Sequence, residues 1–571
     1  MSVSPAVFSP ALSISSIVQP QSSTFAGHSP APSYGPLPRF LSGFPPIPSA
    51  FEDQLDTAAG SLQYRYKQMD EERLREELSL AETLFGTSHS MTLDILSKLG
   101  NVLMEQGRYK SAEEMIRRLV EGGRRVNGND GVKTLDALEL LGAVLSCQGF
   151  YTKAEKLHRR TFESRKIMLG EEHPSTLTSM ANLASTYWNQ GRWKEAEELE
   201  VRVMETRKRV LGEEHPSTLT SMANLASTYS DQGRWKEAEE LEVRVMETRK
   251  RVLGEEHPLT LTNMANLAST YSGQGRWKEA EELEVRVMET RKRVLGEEHP
   301  STLTSIANLA STYRNQGQWK EAEELEVRVM ETRKRVLGEE HPSTLTSIAN
   351  LALTYSDQGR WKEAEELEVQ VMETRKRVLG EEHPSTLTSI ANLALTYSDQ
   401  GRWKEAEELE VQVMETRKRV LGEEHPSTLT SIANLASTYR NQGQWKEAEE
   451  LEVQVMETRK RALGEEHPST LTSMANLAST YSGQGRWKEA EELQAKELGI
   501  CSKVLGEEHP LTLTSMANLA ITWRDQGRSG DALALMRNCV ALQEQVLGID
   551  HPAAASSSAI LAKWEGVSDL S

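Results

Sequence analysis

The sequence contains few of the residues that mark several common protein classes. Its 571 residues include three cysteines, Cys147, Cys501 and Cys539, with no short spacing between them. This argues against a disulfide framework or a zinc site and fits a reducing compartment. No apolar run approaches the roughly 20 residues that span a bilayer. Residues 1–18 lack the basic region of a secretory signal, and Arg39 is the first basic residue, so we expect a cytoplasmic protein.

An excess of positive charge is also absent. The chain has 66 basic and 85 acidic residues, which gives a formal net charge of −19. Nucleic acids and anionic membrane surfaces attract basic proteins. Neither nucleic acid nor a membrane is therefore expected as a partner.

Proline is missing from the long stretch between Pro48 and Pro174. Ten of the 20 prolines lie within residues 5–48, and each of the other ten follows a histidine further along the chain. Residues 1–50 are rich in serine and proline, and Arg39 is their only charged residue. Such a composition buries too little surface to offset its ordering entropy, so it predicts a disordered tail.

What the sequence does contain is a His-Pro step that returns every 42 residues, usually as Glu-Glu-His-Pro. The histidines of this step are His173, His215, His257, His299, His341, His383, His425, His467, His509 and His551. A strict period of this length is typical of a stack of one repeated supersecondary unit. In such stacks each unit is stabilised by contacts with its neighbours.

The same period extends towards the N-terminus in a diverged form. Steps of 42 residues back from His173 reach Gly131 and His89. The segments 107–112 and 149–154 are diverged forms of Gly-Arg-Trp-Lys-Glu-Ala at 191–196. We therefore predict eleven repeats over residues 89–550, of which the first two are degenerate. Atypical ends are expected in repeat stacks, so residues 51–88 are predicted to form an N-terminal capping helix and residues 551–571 a C-terminal capping helix.

One repeat, residues 173–214, predicts two antiparallel amphipathic helices because its apolar residues follow helical spacing. Pro174 suits the first turn of the first helix, where Ser175 offers a capping oxygen. Gly191 breaks this helix and forms a turn. The second helix is then predicted to end near Leu211, before another glycine.

Several chemical roles are not expected from the repeated residues. One histidine per repeat places the imidazoles about one repeat apart, whereas metal ligands surround one point at about 2 Å. We interpret His-Pro as a boundary between units. The basic run at 207–209 is interpreted as the solvated end of a helix. No nucleophile–base pair and no glycine-rich phosphate loop is found, so neither an enzyme nor a cofactor is expected.

The repeat resembles the tetratricopeptide repeat, in the 42-residue form of kinesin light chains and nephrocystin-3-like proteins. The resemblance covers residues 89–550 and depends on Asn-Leu-Ala at 182–184, Tyr187, Gly191, Ala196 and the segment 211–216. It implies an all-α, right-handed superhelical solenoid of antiparallel helix pairs. Glu200 stands where many such repeats carry an aromatic residue.

The resemblance also implies functions. The first is a non-enzymatic scaffold that binds proteins or extended peptides along its concave groove. A second is a cargo adaptor like a kinesin light chain. A third is a recognition repeat domain that acts with a separate nucleotide-binding protein, since near-identical arrays look like those of fungal immune-receptor-like proteins.

An asparagine recurs once per repeat on the first helix and resembles the groove asparagine that binds the backbone of a bound peptide. An amide suits this role because it both donates and accepts hydrogen bonds. A hydrogen bond between repeats is the alternative, because a buried amide needs a partner. The predicted set is Asn182, Asn224, Asn266, Asn308, Asn350, Asn392, Asn434, Asn476 and Asn518.

The residues that vary between copies concentrate at the positions of Ser185, Trp188 and Asn189. These positions lie three or four residues apart on the first helix and therefore share one face. By resemblance this face lines the groove. Three variable residues, Arg314, Arg440 and Arg524, are predicted to pair with acidic side chains of a peptide. Neutral drift on an exposed surface is the alternative.

Overall fold

The computed structural model describes residues 60–566, with side chains from residue 70 onwards, and every regular element in that range is an α-helix. Helix α1 (Gly60–Phe85) precedes the repeats, and α24 (Pro552–Glu565) begins with the last His-Pro step. The predicted disordered tail, residues 1–50, lies outside the described residues. The expected all-helical solenoid is confirmed.

Eleven helix pairs lie between α1 and α24. The first helices of the pairs are α2 (Ser90–Glu105), α4 (Val132–Cys147), α6 (Pro174–Asn189), α8 (Pro216–Asp231), α10 (Pro258–Gly273), α12 (Pro300–Asn315), α14 (Pro342–Asp357), α16 (Pro384–Asp399), α18 (Pro426–Asn441), α20 (Pro468–Gly483) and α22 (Pro510–Asp525). The second helices are α3 (Tyr109–Asn127), α5 (Tyr151–Leu169), α7 (Trp193–Leu211), α9 (Trp235–Leu253), α11 (Trp277–Leu295), α13 (Trp319–Leu337), α15 (Trp361–Val378), α17 (Trp403–Leu421), α19 (Trp445–Ala462), α21 (Trp487–Val504) and α23 (Ser529–Val546).

The histidine of each His-Pro step caps the first helix. His173 is the N-cap of α6, and its Nδ1 accepts a hydrogen bond from the backbone N–H of Ser175 at 3.2 Å. Pro174 follows at the first helical position, where its missing N–H costs nothing. The cap is therefore an imidazole nitrogen, and the capping role predicted for the Ser175 hydroxyl is wrong.

Glycine ends each helix where the backbone turns into the left-handed region. Gly191, between α6 and α7, has φ +70°, and Gly212, after α7, has φ +94°. The Gly212 N–H donates to the Lys208 carbonyl at 3.1 Å. Residues with a Cβ rarely adopt these φ values, so these two glycines fix where each helix of the pair stops.

The apolar core is divided into clusters that neighbouring repeats share. In one of them Leu219 and Met222 of α8 pack with Val245 of α9, all at most 2% exposed. Met204, from the preceding repeat, and Leu241 complete the cluster. No repeat can bury these residues alone, which is why the units stack.

The solenoid curves so that consecutive turns of the superhelix contact each other. The Nε2 of six histidines lies within hydrogen-bonding distance of a backbone carbonyl 236 residues earlier, which is between five and six repeats. Because Nδ1 of the same ring accepts a bond, Nε2 carries the proton and donates. The pairs are His341–Glu105 (3.3 Å), His383–Cys147 (2.9 Å), His425–Asn189 (3.1 Å), His467–Asp231 (3.0 Å), His509–Gly273 (3.2 Å) and His551–Asn315 (3.2 Å).

Close packing accompanies these hydrogen bonds. A Cβ added to Gly233 would lie 2.4 Å from Cδ of Pro468, so the proline ring fits only against glycine. Trp235 stacks on His509 with ring centroids 5.5 Å apart. The His-Pro steps therefore mark repeat boundaries, as interpreted from the sequence, and also hold consecutive superhelical turns together.

Candidate functional site

The first helices line the inner face of the superhelix. Neighbouring first helices such as α8 and α10, or α16 and α18, pack against each other, while neighbouring second helices contact each other less. Elements on the inside of a curve lie closer together than those on the outside. The concave face predicted to bind peptides is therefore built from α2 to α22, taking every second helix.

The nine predicted asparagines all lie on these first helices, and they differ in burial. Asn182, Asn392 and Asn434 are buried, Asn224 is exposed, and the other five are half-buried. No side-chain amide among the nine forms a hydrogen bond within residues 70–566. The Oδ1 of Asn434 is fully buried and has no partner there. The alternative role of a hydrogen bond between repeats is thus not formed in the described structure.

Two of the three predicted arginines, Arg314 and Arg440, are largely buried and contact other groups of the chain. Arg314 has a side chain 10% exposed, and its Nε lies 3.6 Å from Oδ2 of Asp357. Its Nη1 is buried without a hydrogen-bond partner. Arg440 Nη1 lies 3.5 Å from Oε1 of Glu452 in the same repeat.

The third arginine, Arg524, lies near the C-terminal end of the array. Its guanidinium group lies 5.7 Å from the ring centroid of Trp564 in α24, which is a cation–π distance. All three arginines thus have contacts inside the chain. Their predicted pairing with acidic peptide side chains stays a prediction.

The variable residues contact one another across repeats. The Trp188 Nε1 donates to Oδ2 of Asp231 in the next repeat. The same pair of positions brings together Ser272 with Asn315, Arg314 with Asp357, Ser356 with Asp399 and Ser398 with Asn441. A change at one of these positions therefore alters a contact with the neighbouring repeat.

A row of buried arginines on the second helices was missed by the sequence analysis. Arg207 is 6% exposed, so the interpretation of the whole run 207–209 as a solvated helix end is wrong at this residue. Its Nη1 donates to the Ser217 carbonyl at 3.1 Å and to Ser221 Oγ at 2.9 Å. Each such arginine joins a second helix to the first helix of the next repeat. Burial lowers the pKa of Arg291 to about 10.

A row of buried glutamates lies beside it, at the position where the resemblance leads one to expect an aromatic residue. Glu200 is 7% exposed and Glu242 is 2% exposed. Each has one carboxylate oxygen that is buried without a hydrogen-bond partner. Burial raises the pKa of both carboxyl groups to about 8. The nearby hydroxyls of Thr228 and Thr270 lower the pKa, but by less than burial raises it. Desolvation disfavours the charged carboxylate.

Two findings bear on other kinds of site. Within the part of the chain that the structure describes, no group of three or more His, Cys, Asp or Glu side chains could hold a metal ion. No helix among the described residues is long and apolar enough to cross a membrane.

A cavity of about 1780 Å³ lies between the superhelical turns. It is lined on one side by the glycine turns, such as Gly233, and on the other by His-Pro steps, such as His467.

Comparisons with known proteins bear out the resemblance. One family model of the tetratricopeptide repeat matches residues 91–166, 133–209, 178–250, 305–377, 432–500 and 476–545, and a second matches residues 260–301 and 386–427. The chain belongs to the tetratricopeptide repeat family. A comparison with curated proteins finds no match.

Solved structures of similar chains include two of nearly identical tetratricopeptide-like repeats from a candidate kinesin light chain of Podosopora anserina. Both are 41% identical to this chain and cover 36% of it, with 97% and 98% of their own length and TM-scores of 0.32 and 0.31. The crystal structure of BtubC from P. vanneervenii is 20% identical, covers 40% of this chain and 92% of that chain, and has a TM-score of 0.34. The sequence of this tetratricopeptide array thus resembles fungal kinesin light chain-like repeats. Membership of the tetratricopeptide repeat family makes the chain a protein-interaction scaffold.

Proposed function

We propose that this tetratricopeptide scaffold is a cytoplasmic protein that binds extended peptides of partner proteins along its concave face, and that it acts by binding rather than by catalysis. The observation that carries the proposal is the row of nine asparagine amides that make no hydrogen bond inside the described chain. They recur once per 42-residue repeat on the helices that line one face.

The chemistry of the amide supports a peptide backbone as the ligand. An asparagine side chain has two N–H donors and a carbonyl acceptor, and a peptide backbone offers one acceptor and one donor per residue. The half-buried members of the row, such as Asn308 and Asn350, have amide surface that a bound backbone can reach, whereas Asn434 is 2% exposed and its Oδ1 is covered by the chain itself.

The curvature of the solenoid limits how a peptide reaches this face. Contacts such as His425–Asn189 and His467–Asp231 join consecutive superhelical turns. Since the first helices lie on the inside, the peptide must approach along the superhelix axis rather than between the turns. A flexible, extended segment meets this requirement better than a folded domain.

The first test replaces three half-buried asparagines, Asn266, Asn308 and Asn350, with alanine in one variant. Each lost amide contact is worth about 1 kcal/mol. Three losses weaken binding by about 3 kcal/mol, which is roughly a hundredfold in Kd. The measurement is fluorescence anisotropy with a labelled peptide that has been selected against the full chain from a phage-displayed library of random peptides.

The control carries three alanine substitutions on exposed second-helix positions, Glu240→Ala, Glu282→Ala and Glu324→Ala. This variant should bind the peptide as the wild type does. An asparagine variant that keeps wild-type affinity, or a library that yields no binding peptide, would contradict the proposal.

A further inference from the structure

The contact between superhelical turns uses two edges of the solenoid that recur along the array, the His-Pro edge from the third repeat onwards and the turn edge in the first ten repeats. The turn edge consists of the glycine between the two helices of a repeat and the aromatic residue two positions later, as in Gly233 and Trp235. The His-Pro edge consists of the His-Pro step at the start of a repeat, as in His467 and Pro468. Within the chain, the turn edge of the first six repeats is covered by the His-Pro edge of later repeats.

No described residue covers the turn edge of the later repeats. No atom lies within 4 Å of a Cβ placed on Gly401, Gly443 or Gly485, whereas the equivalent Cβ on Gly233 would lie 2.4 Å from a proline ring. Trp403 is 40% exposed, whereas its equivalent Trp235 is 8% exposed beneath His509. The other tryptophans of the open turn edge are half-buried.

The His-Pro edge of the early repeats is uncovered in the same way. His173 and His215 are exposed, while their equivalents His467 and His509 are 5% and 7% exposed. Only Nδ1 of His173 and His215 forms a hydrogen bond within the described chain, as a helix cap. These histidines cap their helices as His467 and His509 do, but no backbone carbonyl of the described residues lies within hydrogen-bonding distance of their Nε2 atoms.

We propose that the chain assembles head to tail, with the turn edge of one copy docking on the His-Pro edge of a second copy. The occupant of each edge follows from continuity with the contact inside the chain. The edges that remain open at the two ends carry the same sequence elements that already bind each other six times. A carbonyl such as that of Asn441 or Gly483 accepts from an imidazole Nε2 of the second copy, as the Asn189 carbonyl does from His425.

The symmetry of this contact determines the product. The two edges are different surfaces, so the contact is heterologous and leaves one open edge on every added copy. The superhelix therefore continues from copy to copy as a filament. Since each chain carries a net charge of −19, assembly is expected to strengthen as salt screens the repulsion between copies.

The test uses one variant for each edge in the full chain. The turn-edge variant carries Gly401→Asn, Gly443→Asn and Gly485→Asn, since asparagine tolerates positive φ and its Cβ would meet the incoming prolines as a Cβ on Gly233 would. The His-Pro-edge variant carries His173→Asp, His215→Asp and His257→Asp. Aspartate keeps the N-cap but cannot donate to a carbonyl.

Sedimentation velocity over a range of concentrations measures the assembly, and circular dichroism checks that each variant is folded. We expect the wild type to form progressively larger species, and each variant to associate at least tenfold more weakly. An equimolar mixture of the two variants is expected to form a one-to-one dimer and nothing larger, because only one intact edge remains on each copy. The glutamate control Glu240→Ala, Glu282→Ala and Glu324→Ala should assemble as the wild type does.

Three outcomes would overturn the proposal. The first is a wild type that stays monomeric throughout, including one whose edges are covered by its own residues 1–59. The second is an edge variant that is folded and assembles like the wild type. The third is a mixture of the two variants that does not dimerise while the wild type assembles.

Discussion

The free energy of unfolding of the array is expected to be greatest between about pH 4.5 and pH 6.5, where buried glutamates and buried histidines have opposite effects, and to fall on both sides. The alkaline fall comes from the buried glutamates. Burial raises the pKa of Glu242, Glu284 and Glu410 to about 8, from 4.5 for an unperturbed glutamate. A group whose pKa is raised in the folded state contributes its stability fully below the unfolded pKa, and that contribution is lost as the pH rises through the folded pKa.

The acidic fall comes from buried histidines. Burial lowers the pKa of His158, His425 and His467 to about 4, from 6.5. Their contribution is present above the unfolded pKa and is lost as the pH falls towards the folded pKa, because protonation is easier in the unfolded chain. The two sets leave a maximum between them.

A single substitution isolates the alkaline limb. Glu284→Gln removes a charge that must be buried at high pH, so we expect it to raise the free energy of unfolding by about 3 kcal/mol at about pH 9 and to change it little at about pH 5. The measurement is urea denaturation followed by circular dichroism across this pH range. The tenth repeat carries glutamine at this position naturally, as the buried Gln494.

The matched control is Glu282→Gln, two residues earlier on α11 and exposed. It should leave the pH profile unchanged. If Glu284→Gln stabilised the array equally at both pH values, or destabilised it at high pH, the buried carboxylates would not be the source of the alkaline limb.

Replacing Arg291 with alanine is expected to cost about 3 kcal/mol of stability. Arg291 is 3% exposed and its Nη1 donates to the Ser301 carbonyl at 3.2 Å and to Ser305 Oγ at 2.8 Å. Its Nη2 donates to Thr262 Oγ1 at 3.2 Å. Alanine removes all three bonds and leaves a cavity where two neighbouring repeats meet.

Arg293→Ala provides the comparison two residues away. Arg293 is 61% exposed and its ion pair with Glu256 is at the surface, where such pairs contribute little. The midpoints of denaturant unfolding of the two variants should therefore differ clearly. Equal unfolding midpoints would mean that Arg291 is not the tie between repeats that its contacts indicate.

The sequence predicted the fold because a strict period and helical spacing depend only on local pattern. The buried Glu200 and Arg207 could have been found in the same way. Glu200 and Arg207 follow Ala196 by four and eleven residues, with the buried Val203 between them, so they lie on the buried stripe of the second helix. Their charge suggested solvent, and tertiary packing decided otherwise.

The contact between superhelical turns could not be predicted in this way. It joins residues 236 apart, and its existence depends on the small rotation that each repeat adds, which accumulates over the array. A single repeat shows a histidine that caps a helix. The second role of His425, as donor to the Asn189 carbonyl, appears only when the coil closes on itself.

The variable residues show a similar limit. Their common helix face was evident from their spacing, and that face is near the concave side. The contact of Trp188 with Asp231, and of Arg314 with Asp357, depends on the offset between neighbouring first helices. The asparagine row could be predicted residue by residue, but the absence of internal partners for its amides required the described structure.

The position of a bound peptide on the array tests the central claim most directly. A peptide selected against the full chain would carry a photoreactive benzophenone. It would be crosslinked to the protein by light, and mass spectrometry would map the residues to which it is attached. The concave-face account predicts attachment to first helices, close to asparagines such as Asn308 and Asn350. Attachment to the second helices, around exposed residues such as Glu282 and Glu324, would contradict it.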